Sequence, residues 1–508
     1  MKQWRTVLVG VMLALGLGSP RASGQGALRV AAQQAKPAPP KAEPVLAADQ
    51  KILAEIKEHS EVMANLEYLS DMIGPRLTGT EKMNQASRWT MEMFRKYGLA
   101  NAHLEPWTIA RAWYRGSARG RIVSPAEHPL TLASAGWSPG TAGVVRGPVV
   151  YVQAKRVEDL AQYKGKLKGA IVLREEPEAL PAPYERPVSP LLRPPGPAVS
   201  PFGPAEQEFA RARDAFFKEE GVLAVLRDSG KEHALLDMHG IGGRAYNIGP
   251  VPTAFATAEN FRLLWRLLKR GPVQVELELT NSFSEKPVEV FNTVAEIPGS
   301  ERPDEVVILG AHLDSWDLGT GTTDNGTGSM VVLEAARALA KLPLKPKRTI
   351  RFVLFAGEEQ GLNGSRAYVE AHRAELAKIS GVLIHDTGTG RVLTIALHGN
   401  EQTREAMDRV VAPLREVGLL ELSLRHGFGT DHVPFNEAGV PGFYCLQDPA
   451  EYRKTHHSQS DTFDRAWKDD LVQGAQVVAV WAYNVAEWPE LLARKPAPAT
   501  PRAGAESK

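Results

Sequence analysis

Thr349-Ile-Arg-Phe-Val-Leu-Phe-Ala-Gly-Glu-Glu359 begins as an almost wholly apolar run and ends on two adjacent carboxylates. A strand that is apolar on both faces belongs at the centre of a sheet covered from both sides. Working outward, strand-like runs at 306–310, 382–385 and 392–397 alternate with helix-like runs at 328–340, 365–379 and 403–417. The alternation predicts an α/β fold: a mainly parallel sheet sandwiched by helices, with ligands gathered beyond the carboxyl ends of its strands.

Those ends carry residues of one chemical kind. The run from Val306 leads straight into His312, with Asp314 two residues later, a spacing that suits a metal-binding imidazole and the carboxylate that orients it. Asp324 sits in Gly-Thr-Thr-Asp-Asn-Gly-Thr-Gly, whose glycines let backbone approach an ion closely. Glu358 and Glu359 would repel each other at the end of a buried strand unless cations compensate, so one can bind metal while the other handles protons. Asp386 closes the next strand beside His385, and Lys454-Thr-His-His-Ser-Gln-Ser-Asp-Thr462 adds His456, His457 and Asp461. Alone, each reads as a helix cap or a solvated loop residue. Together they form a nitrogen and oxygen donor set suited to zinc or a similar divalent ion.

The 508 residues leave room for two or three domains, and 60 Lys plus Arg against 59 Asp plus Glu make no electrostatic case for nucleic acid or an anionic membrane as partner. Cys445 is the only cysteine, so no intramolecular disulfide is available. Lys2 and Arg5 precede the apolar run 7–17 and small residues near 24, the layout of a signal peptide over 1–24 and of an exported, periplasmic or secreted, protein. No later run is long enough to span a membrane. We expect a flexible linker at 25–47, a first catalytic segment at 48–127, a β-rich insert at 128–283 with a proline-rich loop at 177–204, a second catalytic segment carrying the metal site at 284–490, and a disordered tail at 491–508.

His312-Leu-Asp-Ser, Asp324-Asn-Gly-Thr-Gly, Phe355-Ala-Gly-Glu-Glu-Gln-Gly-Leu-Asn-Gly-Ser, Asp386 and His457 with Asp461-Thr resemble the co-catalytic dizinc aminopeptidase and glutamate carboxypeptidase family. The resemblance runs over roughly residues 50 to 490 and includes Gly74-Pro-Arg-Leu-Thr-Gly. It implies two Zn2+ per chain, the second site also accepting Co2+ or Mn2+. Asp324 would bridge them, with His312 and Asp386 completing one site and Glu359 and His457 the other. Glu358 would be the general base that activates a metal-bridging hydroxide for hydrolysis of terminal bonds in dipeptides or short unblocked peptides. Asp314 would support His312, while His456 stands where relatives of the folate and peptide-cleaving type carry a tyrosine facing the tetrahedral intermediate. Asp431 and His432, in Gly429-Thr-Asp-His-Val-Pro-Phe, would be substrate contacts. The glycine-rich turns at 164–172 and 220–225 are similar to a protease-associated domain, and relatives of this kind often dimerise.

Two other functions compete on this fold. A zinc-dependent glutaminyl cyclase would use one metal, and a non-catalytic binding ectodomain would lose ligands. At this level the recognised end of the peptide stays open, since Arg366, Arg391 and Arg425 are all candidates to hold a carboxylate.

Overall fold

The computed structural model describes residues 43–178, 204–241, 247–426, 429–450 and 452–495. The signal-peptide expectation, most of the linker and of the proline-rich loop, and the tail beyond 495 lie outside them.

The first helix, α1 (Glu43–His59), starts inside the stretch expected to be linker. Leu46 and Ala47 are strong helix formers and carry it back from Ala48, the first core residue. Ile52, Leu53 and Ile56, spaced for one helical face, seat it in the core. In α2 (Glu81–Lys96), the Thr80 side chain accepts the Met83 amide at the start, and Gly98, at φ +82°, turns the chain away after the end.

Eight strands form the first sheet: β1 (Ala100–Ile109), β2 (Val288–Ile297), β3 (Arg302–His312), β4 (Arg348–Phe355), β5 (Ile379–Ile384), β6 (Val392–Ala396), β7 (Glu421–Ser423) and β8 (Gly442–Gln447). Their spatial order is β1-β2-β4-β3-β5-β8-β6-β7. The four central strands β4, β3, β5 and β8 run parallel, with His312 opposite Phe355 and Gly310 opposite Ile384. The flanks are antiparallel where β1 meets β2, β2 meets β4 and β6 meets β8. The strand period of two sorts the side chains to opposite faces. Val307, Leu309, Ile350, Phe352, Leu354 and Leu383 share a core with α1, α3 (Thr327–Lys341) and α4 (Lys468–Glu487), whereas Val306, Ile308, Val353, Phe355 and Ile384 pack with Tyr368 and Phe435 from the short helices Asn363–Ala371 and His432–Glu437.

Between β1 and β2 the chain builds a second eight-stranded sheet, in the order His128–Leu130, Ala118–Ser124, Gln274–Leu279, Val145–Tyr151, Ile171–Leu173, Ala224–Asp228, Thr253–Ala256, Leu132–Ser134. It takes in Ala118–Ser124, ahead of the boundary expected at 128, because alternating Arg119, Arg121 and the buried Ile122 hid a strand among polar residues. A two-stranded ribbon, Trp113–Tyr114 with Ser282–Phe283, ties the chain's exit to its return. Inside the stretch expected to be tail, Leu492 is buried and its amide donates to Ser380 Oγ. Among the described residues no helix is long and apolar enough to cross a membrane.

Candidate metal centre

The parallel strands deliver polar residues to one place because they all end on the same side. His312 is the last residue of β3, Glu358 and Glu359 follow β4, and Asp386 follows β5. His312 Nε2 lies 3.2 Å from Asp386 Oδ1 and 3.3 Å from Asp324 Oδ1. His457 Nε2 lies 2.9 Å from Glu359 Oε2 and 3.3 Å from Asp324 Oδ2. The two oxygens of Asp324 therefore face two different imidazoles.

A buried frame holds these groups. Asp314, fully buried, accepts the Thr78 hydroxyl at 2.8 Å and the Glu358 amide at 3.2 Å, and His312 Nδ1 sits 3.0 Å from the Asp314 carbonyl. That carbonyl contact leaves Nε2 to face the carboxylates. Arg76, also fully buried, donates to the carbonyls of Leu313, Gly74, Thr320 and Gly321 at 2.6–3.0 Å and so shapes the loop before Asp324. Asp461 accepts the amides of Thr323 and Asp324, and the Tyr444 hydroxyl donates to the Asp386 carbonyl at 2.6 Å.

The electrostatics are those of too many acids in a dry place. Burial, then Asp324, raises Glu359 well above the usual carboxylate range, and burial with Asp386, Asp431 and Asp314 nearby does the same to Glu358. Burial pushes Asp461 up to about 7. His312 resists burial, which would lower it, because Asp386, Asp314 and Asp324 raise it well above its ordinary value. A proton on His312 thus does work that a divalent cation does better. Burial, then His456 and His239, pushes His457 well down, leaving the neutral imidazole that ligates metals.

Among the described residues Glu359 Oε1 is buried with no hydrogen-bond partner, and Asp324 Oδ2 has none beyond its 3.3 Å approach to His457. Buried carboxylate oxygens left unpaired are costly, and a cation is the partner that this donor set fits. Ligand atoms of His312, Asp324 and Glu359 lie within 4.8 Å of one another, as do those of Asp324, His456 and His457, and those of Asp237, His239 and His457. Trp316, Asp324, Glu359, His457 and Asp461 line a narrow cleft here.

The structure thus gathers His312, Asp324, Glu359, Asp386 and His457, with Asp314 behind them. His456 stacks on His457 at 3.7 Å between ring centroids, and its side chain is 38% exposed. Asp431 is buried and held near 7, mainly by burial, with His312 opposing. His432 packs 4.1 Å from His398 and 5.6 Å from Tyr444. Arg366 pairs with Glu437 and Arg391 with Asp470, so both guanidiniums are already engaged. Sequence reasoning did not single out Asp237, His239, Arg76 or Tyr444. Asp237-Met-His239 is the reverse of the His312-Leu-Asp314 spacing and was the available signal for the first two.

The family model for peptidase family M28 matches residues 292–482, the span that carries the gathered imidazoles and carboxylates except Asp237 and His239. Carboxypeptidase Q of Pongo abelii is 32% identical over 433 residues, covering 84% of this chain and 86% of the relative. Carboxypeptidase Q of Homo sapiens is 31% identical over the same length and shares. The crystal structure of a peptidase M28 precursor from Shewanella amazonensis superposes with a TM-score of 0.74 at 27% identity, covering 89% of this chain and 99% of that one. Full-length relatives, matching fold and the cluster at the strand ends agree: the chain belongs to peptidase family M28 and is a metallopeptidase of that family.

Proposed function

We propose that the chain is an exported dizinc exopeptidase acting on dipeptides and short unblocked peptides. The observation that carries this reading is Asp324, whose Oδ1 and Oδ2 each stand 3.3 Å from a different histidine, His312 and His457. His312, Asp386 and Asp324 would hold one ion, and His457, Glu359 and Asp324 the other. Zinc suits this set of imidazole and carboxylate donors, with Co2+ or Mn2+ as substitutes. When bound, the ions supply Lewis-acid polarisation of the scissile carbonyl and lower the pKa of the attacking water.

The chain's own groups do the rest. Glu358, raised by burial, takes a proton from the attacking water and later delivers it to the leaving amine. His456, stacked on His457 and 38% exposed, donates to the developing oxyanion. Asp314 holds His312 and the Glu358 amide in register. The second sheet, joined to the catalytic loops at 453–459, would wall the cleft against long folded chains.

Metal analysis is expected to find two zinc ions per chain, with chelation abolishing dipeptide cleavage and zinc restoring it. A fully active metal-free protein would sink the reading. Cleavage inside intact casein without attack on dipeptides would contradict the exopeptidase part, and one tightly held zinc with cyclisation of amino-terminal glutamine would favour a glutaminyl cyclase. Export is tested by mass spectrometry of the mature protein, which is expected to begin near Gly24 rather than at Met1.

A further inference from the structure

The segment after the strand Ala224–Asp228 reads Ser229-Gly-Lys-Glu-His-Ala-Leu-Leu-Asp-Met-His-Gly-Ile241. It belongs to the second sheet's part of the chain, yet it is bonded along its length to the loop that carries His457. Lys231 Nζ donates to the carbonyls of Arg453 and His456, each at 2.9 Å. Glu232 takes both guanidinium nitrogens of Arg453 at 2.9 and 3.0 Å. The Leu236 amide donates to Gln459 Oε1 at 2.9 Å, Gln459 Nε2 returns a bond to the Ala234 carbonyl at 3.1 Å, and the Met238 amide donates to the His457 carbonyl at 2.9 Å. His457 itself has φ +55°, a conformation a side-chain-bearing residue keeps when its surroundings enforce it.

Within this frame the Asp237 carboxylate lies near the His457 ring. The carboxylate contacts His239 Nε2 at 2.6 Å and Lys231 Nζ at 3.6 Å, and one of its oxygens is within 4.8 Å of a His457 ring nitrogen. The His239 ring meets His457 edge-on at 4.9 Å. His457 Nε2 faces Glu359 and Asp324, whereas its Nδ1 is buried with no hydrogen-bond partner among the described residues. A metal-binding histidine has its other nitrogen satisfied in nearly every known case, most often by a carboxylate or carbonyl, and that partner fixes the ring's tautomer and direction.

We propose that Asp237 is a positioning residue for the metal centre: supplied by the second sheet's segment, its carboxylate receives His457 Nδ1–H, directly or through one water, and aims Nε2 at the cation. The proposal rests on the dizinc reading and goes beyond it, since it makes one ligand's orientation depend on a part of the chain outside the strand ends. Asp237 touches no substrate in this role.

The test is competition between a zinc-binding dye and the full-length protein, with the visible spectrum of the Co2+-substituted protein as a second readout. Asp237→Asn is expected to weaken the less tightly held ion by about 10- to 100-fold and to shift the Co2+ bands. Asp237→Glu should retain metal within about threefold of the parent and His239→Ala likewise, on the same principle that the carboxylate is what acts. An Asn variant that holds both ions as tightly as the parent, with an unchanged Co2+ spectrum, overturns the proposal. So does a metal-free Asn variant whose thermal midpoint falls in step with its metal affinity, because the loss is then one of fold. A parent that binds no zinc overturns the dizinc reading and this inference with it; a parent that binds two, beside an Asn variant that binds two equally well, overturns this inference alone.

Discussion

Glu358 and Glu359 are neighbours in sequence with different surroundings. Glu359 meets His457 at 2.9 Å and keeps an unpartnered buried oxygen, while Glu358 is influenced by His312, Asp386, Asp431 and Asp314. Glu358→Gln is therefore expected to lower kcat by about 10² to 10⁴ or more with both metals retained, since Gln keeps the shape and cannot accept the proton. Glu359→Gln should lose metal as well as activity. The check is kcat together with metal content for both variants, and a Glu358→Gln protein with near-normal kcat, or with metal lost as readily as in Glu359→Gln, would require another base. The gathered donors were legible as a set, because so many imidazoles and carboxylates close apolar strands that one sheet brings together. Arg76 was not, since Gly-Pro-Arg-Leu-Thr-Gly reads as any tight loop until its guanidinium is seen holding four carbonyls. Asp237 was hidden by distance along the chain: only the fold brings it to His457.

At the scale of elements, legibility followed amphipathicity. The central strands β3, β4 and β5 are apolar on both faces and were readable. Strand β1 was not, because it lies at the sheet's edge with mostly half-exposed residues and contains Pro106, which suits an edge and argues against a strand elsewhere. The helix expected over 365–379 stops at Ala371, followed by a short 3₁₀ turn at Leu376–Lys378. There His372 leaves the helix to join a network: its Nε2 lies 3.0 Å from Glu105 of β1 and its Nδ1 2.6 Å from Glu375, while Arg351 of β4 pairs with Glu375 and Glu296. Burial opposes the charge on His372, but hydrogen bonds to Glu105 and Glu375 win and raise it to about 9; Glu375 falls to about 2 despite burial, through His372 and Arg351. The raised His372 stabilises the fold fully below its unfolded value near 6.5, and this is lost as pH rises through 9. The depressed Glu375 contributes above about 4.5 and loses its contribution as pH falls through 2. The urea midpoint is accordingly expected to fall between pH 6.5 and 9.5 by the equivalent of about 1–2 kcal/mol. His372→Gln should flatten that slope, and an unchanged slope in the variant would show that the network does not set it.

At the scale of the whole molecule, the two sheets are connected by more than the chain that runs from β1 into the second sheet and back into β2. The bonds from 231–238 to 453–459 join the second sheet's segment to the loop of a proposed metal ligand, so metal binding and that junction share one piece of backbone. An ion that binds the folded protein stabilises it by about 2.7 kcal/mol at a hundredfold excess over its dissociation constant, and segments that open locally without the ion gain the most. Hydrogen exchange with and without chelator reads this segment by segment. Peptides covering 312–324 and 453–461 should take up deuterium faster once metal is removed, and peptides covering 231–240 should follow them, although the proposed ligands lie outside that stretch. Peptides from β3 and β4 upstream of His312 and Glu358 should change little, because their amides are locked in parallel ladders within a buried core. Faster exchange confined to the strand ends and the His457 loop, with 231–240 unaltered, would mean that the junction stands without the metal and that the second sheet is only a wall.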